Sequence, residues 1–116
     1  MIEDCSEEVK KLINEYKKDG IVFGKDIDFF LKRNKMSKQE IEEEIINCKN
    51  LSFTEKQIKD NETRYALFFI YSGRKGRKYI VTFRDGNIRV ITIFPLGRKT
   101  LKRYKKKGLN IRGVWD

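Results

Sequence analysis

The sequence predicts an α+β fold: N-terminal helices packed on one face of a four-stranded antiparallel sheet, built around a meander, with a short basic helix at the C-terminal end. Three observations carry this. Residues 63–94 hold three apolar, β-branched and aromatic runs (64–72, 77–84 and 88–94) separated by Gly73-Arg74-Lys75-Gly76 and by Asp85-Gly86. Such runs between turn residues read as antiparallel strands. The residues before them place apolar side chains at helical spacing behind capping signals. Charge is also divided unevenly. Residues 1–60 carry 12 Lys/Arg against 14 Asp/Glu, and residues 61–116 carry 15 against 3, so the net +10 gathers in the second half.

In chain order, residues 4–19 read as an amphipathic helix. Asp4 and Glu7 form a capping-box pattern, Val9, Leu12, Ile13 and Tyr16 share a face, and Asp19-Gly20 ends it. Ile21-Val22-Phe23 reads as a short edge strand or an extended lead-in. Asp26 is expected to cap a short helix with Ile27, Phe30 and Leu31 inward, broken at Asn34-Lys35. Ser37 with Glu40 forms a second capping box, opening a helix over 38–48 with Ile41, Ile45 and Cys48 inward. Glu42, Glu43 and Glu44 are expected on its solvated side. Residues 50–59 read as a strand through the alternation of Leu51 and Phe53, with Asp60-Asn61 as the turn out of it. Pro95 is expected to close the last strand, where a missing N–H is tolerated. The run Arg98–Lys107 holds seven cations in ten residues. Leu101 and Tyr104 lie at i and i+3, a docking edge for a short helix that Gly108 would stop. The tail would be ordered by Trp115 if a pocket receives it.

The turns set the register and the register sets the faces. A two-residue Asp85-Gly86 loop pairs Arg84 with Asn87, Thr82 with Arg89 and Tyr79 with Thr92. A 73–76 loop pairs Ser72 with Arg77 and Phe69 with Ile80. One face then carries Ala66, Phe68, Ile70, Tyr79, Val81, Phe83, Ile88, Val90 and Phe94. The other mixes Tyr65, Leu67, Phe69, Tyr71, Ile80, Ile91 and Ile93 with Lys78, Arg84 and Arg89. That second face reads either as a surface for a polyanion with bases to stack or as one covered by the C-terminal segment or a partner.

At 116 residues the chain is expected to be one domain, 1–116, with a helix at 1–20, a core at 21–95 and a basic helix and tail at 96–116. There is no histidine, which excludes imidazole as acid, base or ligand. Two separated cysteines, Cys5 and Cys48, fit neither a disulfide scaffold nor a metal site. No cofactor is expected. An acidic start and the lack of a long apolar run predict neither a secretory signal nor a membrane span, and so a cytoplasmic setting. The charge split predicts an anionic partner, nucleic acid first. The candidate phosphate-binding residues are Arg74 and Lys75 at a loop tip, Lys78, Arg84 and Arg89 on the sheet, and Arg98, Lys99, Lys102, Arg103 and Lys106 in the basic run. For each the competing reading is an ordinary solvated position.

Across residues 21–41 the chain carries Ile21, Phe23, Lys25, Met36, Ser37, Lys38, Glu40 and Ile41, and later Val90-Ile91-Thr92-Ile93-Phe94. This pattern, with two helices leading into an antiparallel meander, resembles the RelE/ParE superfamily of toxin-fold proteins over about residues 21–95. The resemblance implies an RNA- or ribosome-directed protein, and a metal-independent endoribonuclease that works through Lys, Arg and Tyr. Arg84, Arg89 and Tyr104 would then be its catalytic residues, with cations stabilising the charge of the phosphorane. It also implies an antitoxin or a second copy as partner. The chain departs from the family where relatives often carry His and two arginines, positions that are Asp26, Phe30 and Asn34 here. Those departures favour a non-catalytic interaction module of the same fold. Duplex-DNA binding is a third reading, without helix-turn-helix or zinc-finger spacing.

Overall fold

The computed structural model describes residues 4–48 and 50–107. Its elements are α1 (Ser6–Tyr16), a 3-10 turn (Lys17–Asp19), β1 (Ile21–Phe23), α2 (Ile27–Asn34), α3 (Lys38–Asn47), β2 (Leu51–Lys59), β3 (Glu62–Ile70), β4 (Lys75–Arg84), β5 (Asn87–Gly97) and α4 (Arg98–Lys106). The class is α+β, as expected. The sheet has five strands rather than four and is mixed, in the order β1-β5-β4-β3-β2. Strands β2 to β5 are antiparallel, and β1 runs parallel to β5 with Ile21, Val22 and Phe23 opposite Ile88, Arg89 and Val90. Gly20, at φ +79°, redirects the chain into β1. The Gly24 N–H donates to the Val90 carbonyl at 2.9 Å and fastens its far end.

The face assignment needs two corrections. Between β3 and β4 the loop is 71–74, closed by the Tyr71 and Ser72 N–H groups donating to the Lys75 carbonyl at 3.0 and 3.2 Å. Ile70 pairs with Gly76, so five residues, 71–75, lie between the paired strands where four were expected; Phe69 pairs with Arg77 and Leu67 with Tyr79, and the expected Ser72–Arg77 and Phe69–Ile80 pairs do not form. The shift is an odd number of residues, so β3 turns over. Tyr65, Leu67 and Phe69 face the helices, and Ala66, Phe68 and Ile70 face the other way. Between β4 and β5, Arg84–Asn87 and Thr82–Arg89 pair as expected. The register then breaks: Val81 meets Val90 but Ile80 meets Thr92, leaving Ile91 as the extra residue of a bulge. Tyr79 accordingly meets Ile93 rather than Thr92.

Two apolar layers result. Val9 and Ile13 of α1, Ile27 and Leu31 of α2, and Ile41 and Ile45 of α3 pack on Tyr65, Leu67, Phe69, Tyr79, Val81 and Val90. On the opposite face Phe53, Phe68, Ile70, Ile80 and Leu96 pack with Leu101 of α4. Each such fully buried side chain is worth roughly 1.5–3 kcal/mol. The C-terminal helix thus covers part of the face that Ile80 and Ile91 share. Leu67 and Ile93, expected there, lie beneath the N-terminal helices instead.

The helix ends follow their sequences except at the starts of α1 and α2. Ser37 Oγ accepts from the Glu40 N–H at 3.2 Å, as a capping residue should. Lys35 and Cys48 end α2 and α3 in the left-handed conformation. The Asp4–Glu7 box does not form: Cys5 is the residue before α1. Asp4 Oδ1 instead accepts from the Ser6 N–H at 3.0 Å and, across the molecule, from the Thr54 N–H of β2 at 3.1 Å. Asp26 precedes α2 without a side-chain cap. Glu44 does not lie on the solvated side of α3, for reasons given below. Pro95 does not close β5, which continues to Gly97. β1 pairs only as far as Val90, so β5 has no neighbour on that side at Pro95. Asp60 and Asn61 form the β2–β3 turn at positive φ, as expected. The stop at Gly108 and the tail with Trp115 lie outside the described residues. No described helix is long and apolar enough to cross a membrane.

Candidate nucleic-acid interface

α4 is held by one narrow edge. Leu101 is fully buried, and Tyr104, one turn on, sets its ring edge-on to Phe68 with centroids 5.0 Å apart. The cations point outward: Arg98, Lys99, Lys102, Arg103 and Lys106 are all exposed. Among the described residues none of these five makes an ion pair. They also stack at i, i+4 as Arg98–Lys102, Lys99–Arg103 and Lys102–Lys106. Each like-charged pair of that kind costs a helix roughly 0.2–0.5 kcal/mol. Arg98 and Lys99 sit at the positive end of the helix dipole, the wrong end for a cation. The helix carries an electrostatic cost that an anionic ligand would remove.

Lys78 belongs to the same patch. Its Nζ lies 4.9 Å from the Phe94 ring centroid and 5.6 Å from that of Phe68. Lys78 and Tyr104 therefore share Phe68. Lys75 pairs with Gly97, the residue that leads into α4, and so stands beside its first turn. Arg74 is exposed in the β3–β4 loop, its N–H donating to Ser72 Oγ at 3.2 Å.

Arg84 and Arg89 share a sheet face, as expected, and it is the face on which α4 docks. They occupy its other end. Phe68 pairs with Lys78, and Arg84 lies six residues farther along β4, on the order of 20 Å away at the strand rise. The three residues that the resemblance implies for catalysis thus divide into a pair and a distant Tyr104. Burial raises the Tyr104 pKa, with Glu55 adding to the rise and Arg103 opposing it, so its hydroxyl stays protonated and is a poor base.

The arginine end has its own counter-charges. Arg64, which the sequence reading did not single out, donates through Nε and Nη2 to Glu62 Oε2 at 3.2 and 3.0 Å. Arg84 approaches Glu62 at 3.9 Å and Asp85 at 3.5 Å, and Arg89 approaches Asp85 at 3.7 Å. With Thr82, Val22 and Ile91 these arginines line a concavity of about 240 Å³. Arg89 Nε is buried there without a partner. Arg64 is not legible in the sequence because only the observed β3–β4 pairing turns it, with Ala66 and Phe68, to the face of Arg84 and Arg89.

A second polar constellation is also absent from the sequence reading. Tyr71 and Tyr79 both donate their hydroxyls to the Glu44 carboxylate, and Arg77 Nη1 stands 3.7 Å from it. The Glu44 side chain is only 14% exposed. Burial first, then the hydrogen bonds to Glu44, push both phenol pKa values well upward. This network ties α3 to β3 and β4 and offers no base. Its signal was present: Glu44 falls three residues after Ile41 and four before Cys48, on the inward stripe of α3.

No known protein family, curated protein or solved structure matches the chain.

Proposed function

We propose that the protein binds single-stranded RNA, gripping phosphates with α4 and the sheet residues beside it. The observation that carries the reading is the set of five exposed cations on α4 with no ion pair among the described residues, on a helix that their mutual repulsion disfavours. Lys78, fixed between two rings, and Lys75 extend the patch. The order α2, α3 and then the meander adds support through the RelE/ParE resemblance, which points to RNA rather than duplex DNA.

The reading is one of binding rather than cleavage. Tyr104, with its raised pKa, packs on Phe68 far along the sheet from Arg84, and a proton-transfer group must stand within hydrogen-bond reach of the atom it serves. The interaction-module alternative loses part of its motive, because Leu67 and Ile93 are covered by helices.

A salt titration with a fluorescent single-stranded RNA tests the proposal. With about six phosphates engaged, the logarithm of affinity should fall with the logarithm of salt at a slope near −4. A flat slope, or preference for duplex DNA in competition, would overturn it.

A further inference from the structure

Phe29 is the most exposed aromatic that the fold describes, at 74%. It stands on α2 with Lys32 and Arg33 at i+3 and i+4, side chains that a helix brings to the same flank. Lys25 precedes the helix and Lys35 ends it. None of these four cations makes an ion pair among the described residues, whereas the nearby Asp28 is engaged by Lys38 at 3.3 Å. A lone exposed apolar residue needs no explanation. An aromatic ring set among unpaired cations, and joined to a second basic surface, is a different matter.

The junction is a cleft of about 250 Å³ between α2 and the ends of β4 and β5, lined by Phe30, Asn34, Met36, Lys75, Pro95 and Gly97 among others. Phe30 and Asn34 form the side of α2 next to Phe29 and Arg33, about 100° round the helix. Lys75 and Gly97 form the approach to α4. Lys75 thus joins the first turn of α4 to this cleft, whose opposite wall is the side of α2 next to Phe29.

We infer that Phe29 is a base-stacking platform for the same RNA strand, with Lys32 and Arg33 holding the backbone phosphates next to the stacked base. The inference rests on the RNA-binding reading and adds a second, separable contact. Charge complementarity selects the occupant: an extended polyanion can lie on α4, cross at Lys75 and place a base on an aromatic face, the combination that single-strand binders use.

The test compares Phe29→Ala with Lys102→Gln/Arg103→Gln on oligoribonucleotides of about 5 and about 16 nucleotides, lengths that bracket ordinary single-strand sites. Phe29→Ala should weaken the long oligomer at least about five-fold, the effect of losing one stacked base, and leave its salt slope unchanged. The α4 variant should weaken both lengths and lower the slope. Phe29→Trp should report the long oligomer by fluorescence quenching. Phe29→Ala that binds the long oligomer like the wild type, while the α4 variant does not, would overturn this inference alone. So would Phe29→Trp fluorescence that answers to phosphatidylserine vesicles but not to RNA, or a wild-type dimer that Phe29→Ala splits. Failure of the wild type to bind either oligomer would overturn both readings.

Discussion

Tyr104 meets Phe68 edge-on at 5.0 Å, and that same Phe68 ring receives Lys78 at 5.6 Å on the sheet side. One aromatic side chain in β3 thus both docks the basic helix and fixes a cation of the patch beside it. Tyr104→Ala should detach α4 and cost about 2 kcal/mol, as lost aromatic packing does. Tyr104→Phe should be near neutral for stability and for RNA binding, because the ring and not the hydroxyl makes the contact. Urea titrations and RNA affinities of the two variants check this, and a large loss of affinity in Tyr104→Phe would give the hydroxyl a role of its own.

Removing charge from α4 should separate stability from binding. Lys102→Gln/Arg103→Gln relieves like-charge pairs along the helix, so at low salt its melting temperature should hold or rise slightly. Its RNA salt slope should fall by about 1.4 if both residues touch phosphate. Inorganic polyphosphate should raise the melting temperature of the wild type more than that of the variant. Calorimetry at two salt concentrations measures the first effect, and fluorescence anisotropy the second.

The Glu44 network should behave as one unit. Glu44→Ala leaves two phenol donors and Arg77 without their acceptor, and breaking a largely buried charged network of this kind costs about 3 kcal/mol or more. Glu44→Gln keeps an acceptor and should lose less. If Glu44→Ala unfolds no more easily than Glu43→Ala on the exposed side of the same helix, the network contributes nothing to the fold.

Alkali should destabilise the protein through its phenols. Tyr65 is pushed up to about 12 by burial and by its hydrogen bond to Glu8, and Tyr71 and Tyr79 are also raised well above the ordinary value of 10.0. A raised folded-state pKa means that the folded chain holds the proton more tightly. This contribution is complete below pH 10 and is lost as pH rises through the folded-state values. Tyrosinate absorbance should therefore appear late and together with loss of the far-ultraviolet helix signal. A gradual rise near pH 10 with the fold intact would contradict it.

Gly76 is needed for space rather than for backbone freedom. A Cβ there would stand 2.9 Å from the Phe69 carbonyl oxygen and 3.2 Å from Ile70 Cα, both backbone atoms that have little room to move. Gly76→Ala should cost about 1–3 kcal/mol. Gly97→Ala, with open space around its added Cβ, is the control. Thermal melts of the two should differ clearly.

Much of this architecture is legible in the sequence where local chemistry decides it. Asp85-Gly86 and Asp60-Asn61 mark their hairpins, Ser37 marks the start of α3, and the spacing of Leu101 and Tyr104 marks the edge by which α4 docks. Features that depend on tertiary pairing are not legible. Three residues of β1 carry no sign of a parallel partner sixty-odd positions away. The connection between the paired ends of β3 and β4 holds five residues, 71–75, where four were expected, and that single extra residue carries every side chain of β3 through the sheet. The candidate interface was legible as charge and not as geometry. The run of cations in α4 is plain in the sequence, but only the fold shows that Tyr104 and Lys78 meet at Phe68 and that Arg64 shares a face with Arg84 and Arg89. Three consecutive glutamates suggest solvent, although helical spacing turns Glu44 inward beside Ile41 and Cys48.

The bulge at Ile91 makes β5 act like a ribbon given a half-turn midway. Upstream of it Val90 points to the helical layer, and downstream of it Ile93 does, an odd interval that an unbroken strand could not span. Phe94 is thereby freed to meet Lys78. Length changes here are therefore tolerated in one direction only: deleting Ile91 would straighten the strand and keep Ile93 opposite Tyr79 and Phe94 opposite Lys78, whereas adding a residue between Thr92 and Ile93 would turn Ile93 away from the helices and draw Phe94 in among them, dismantling the two layers together.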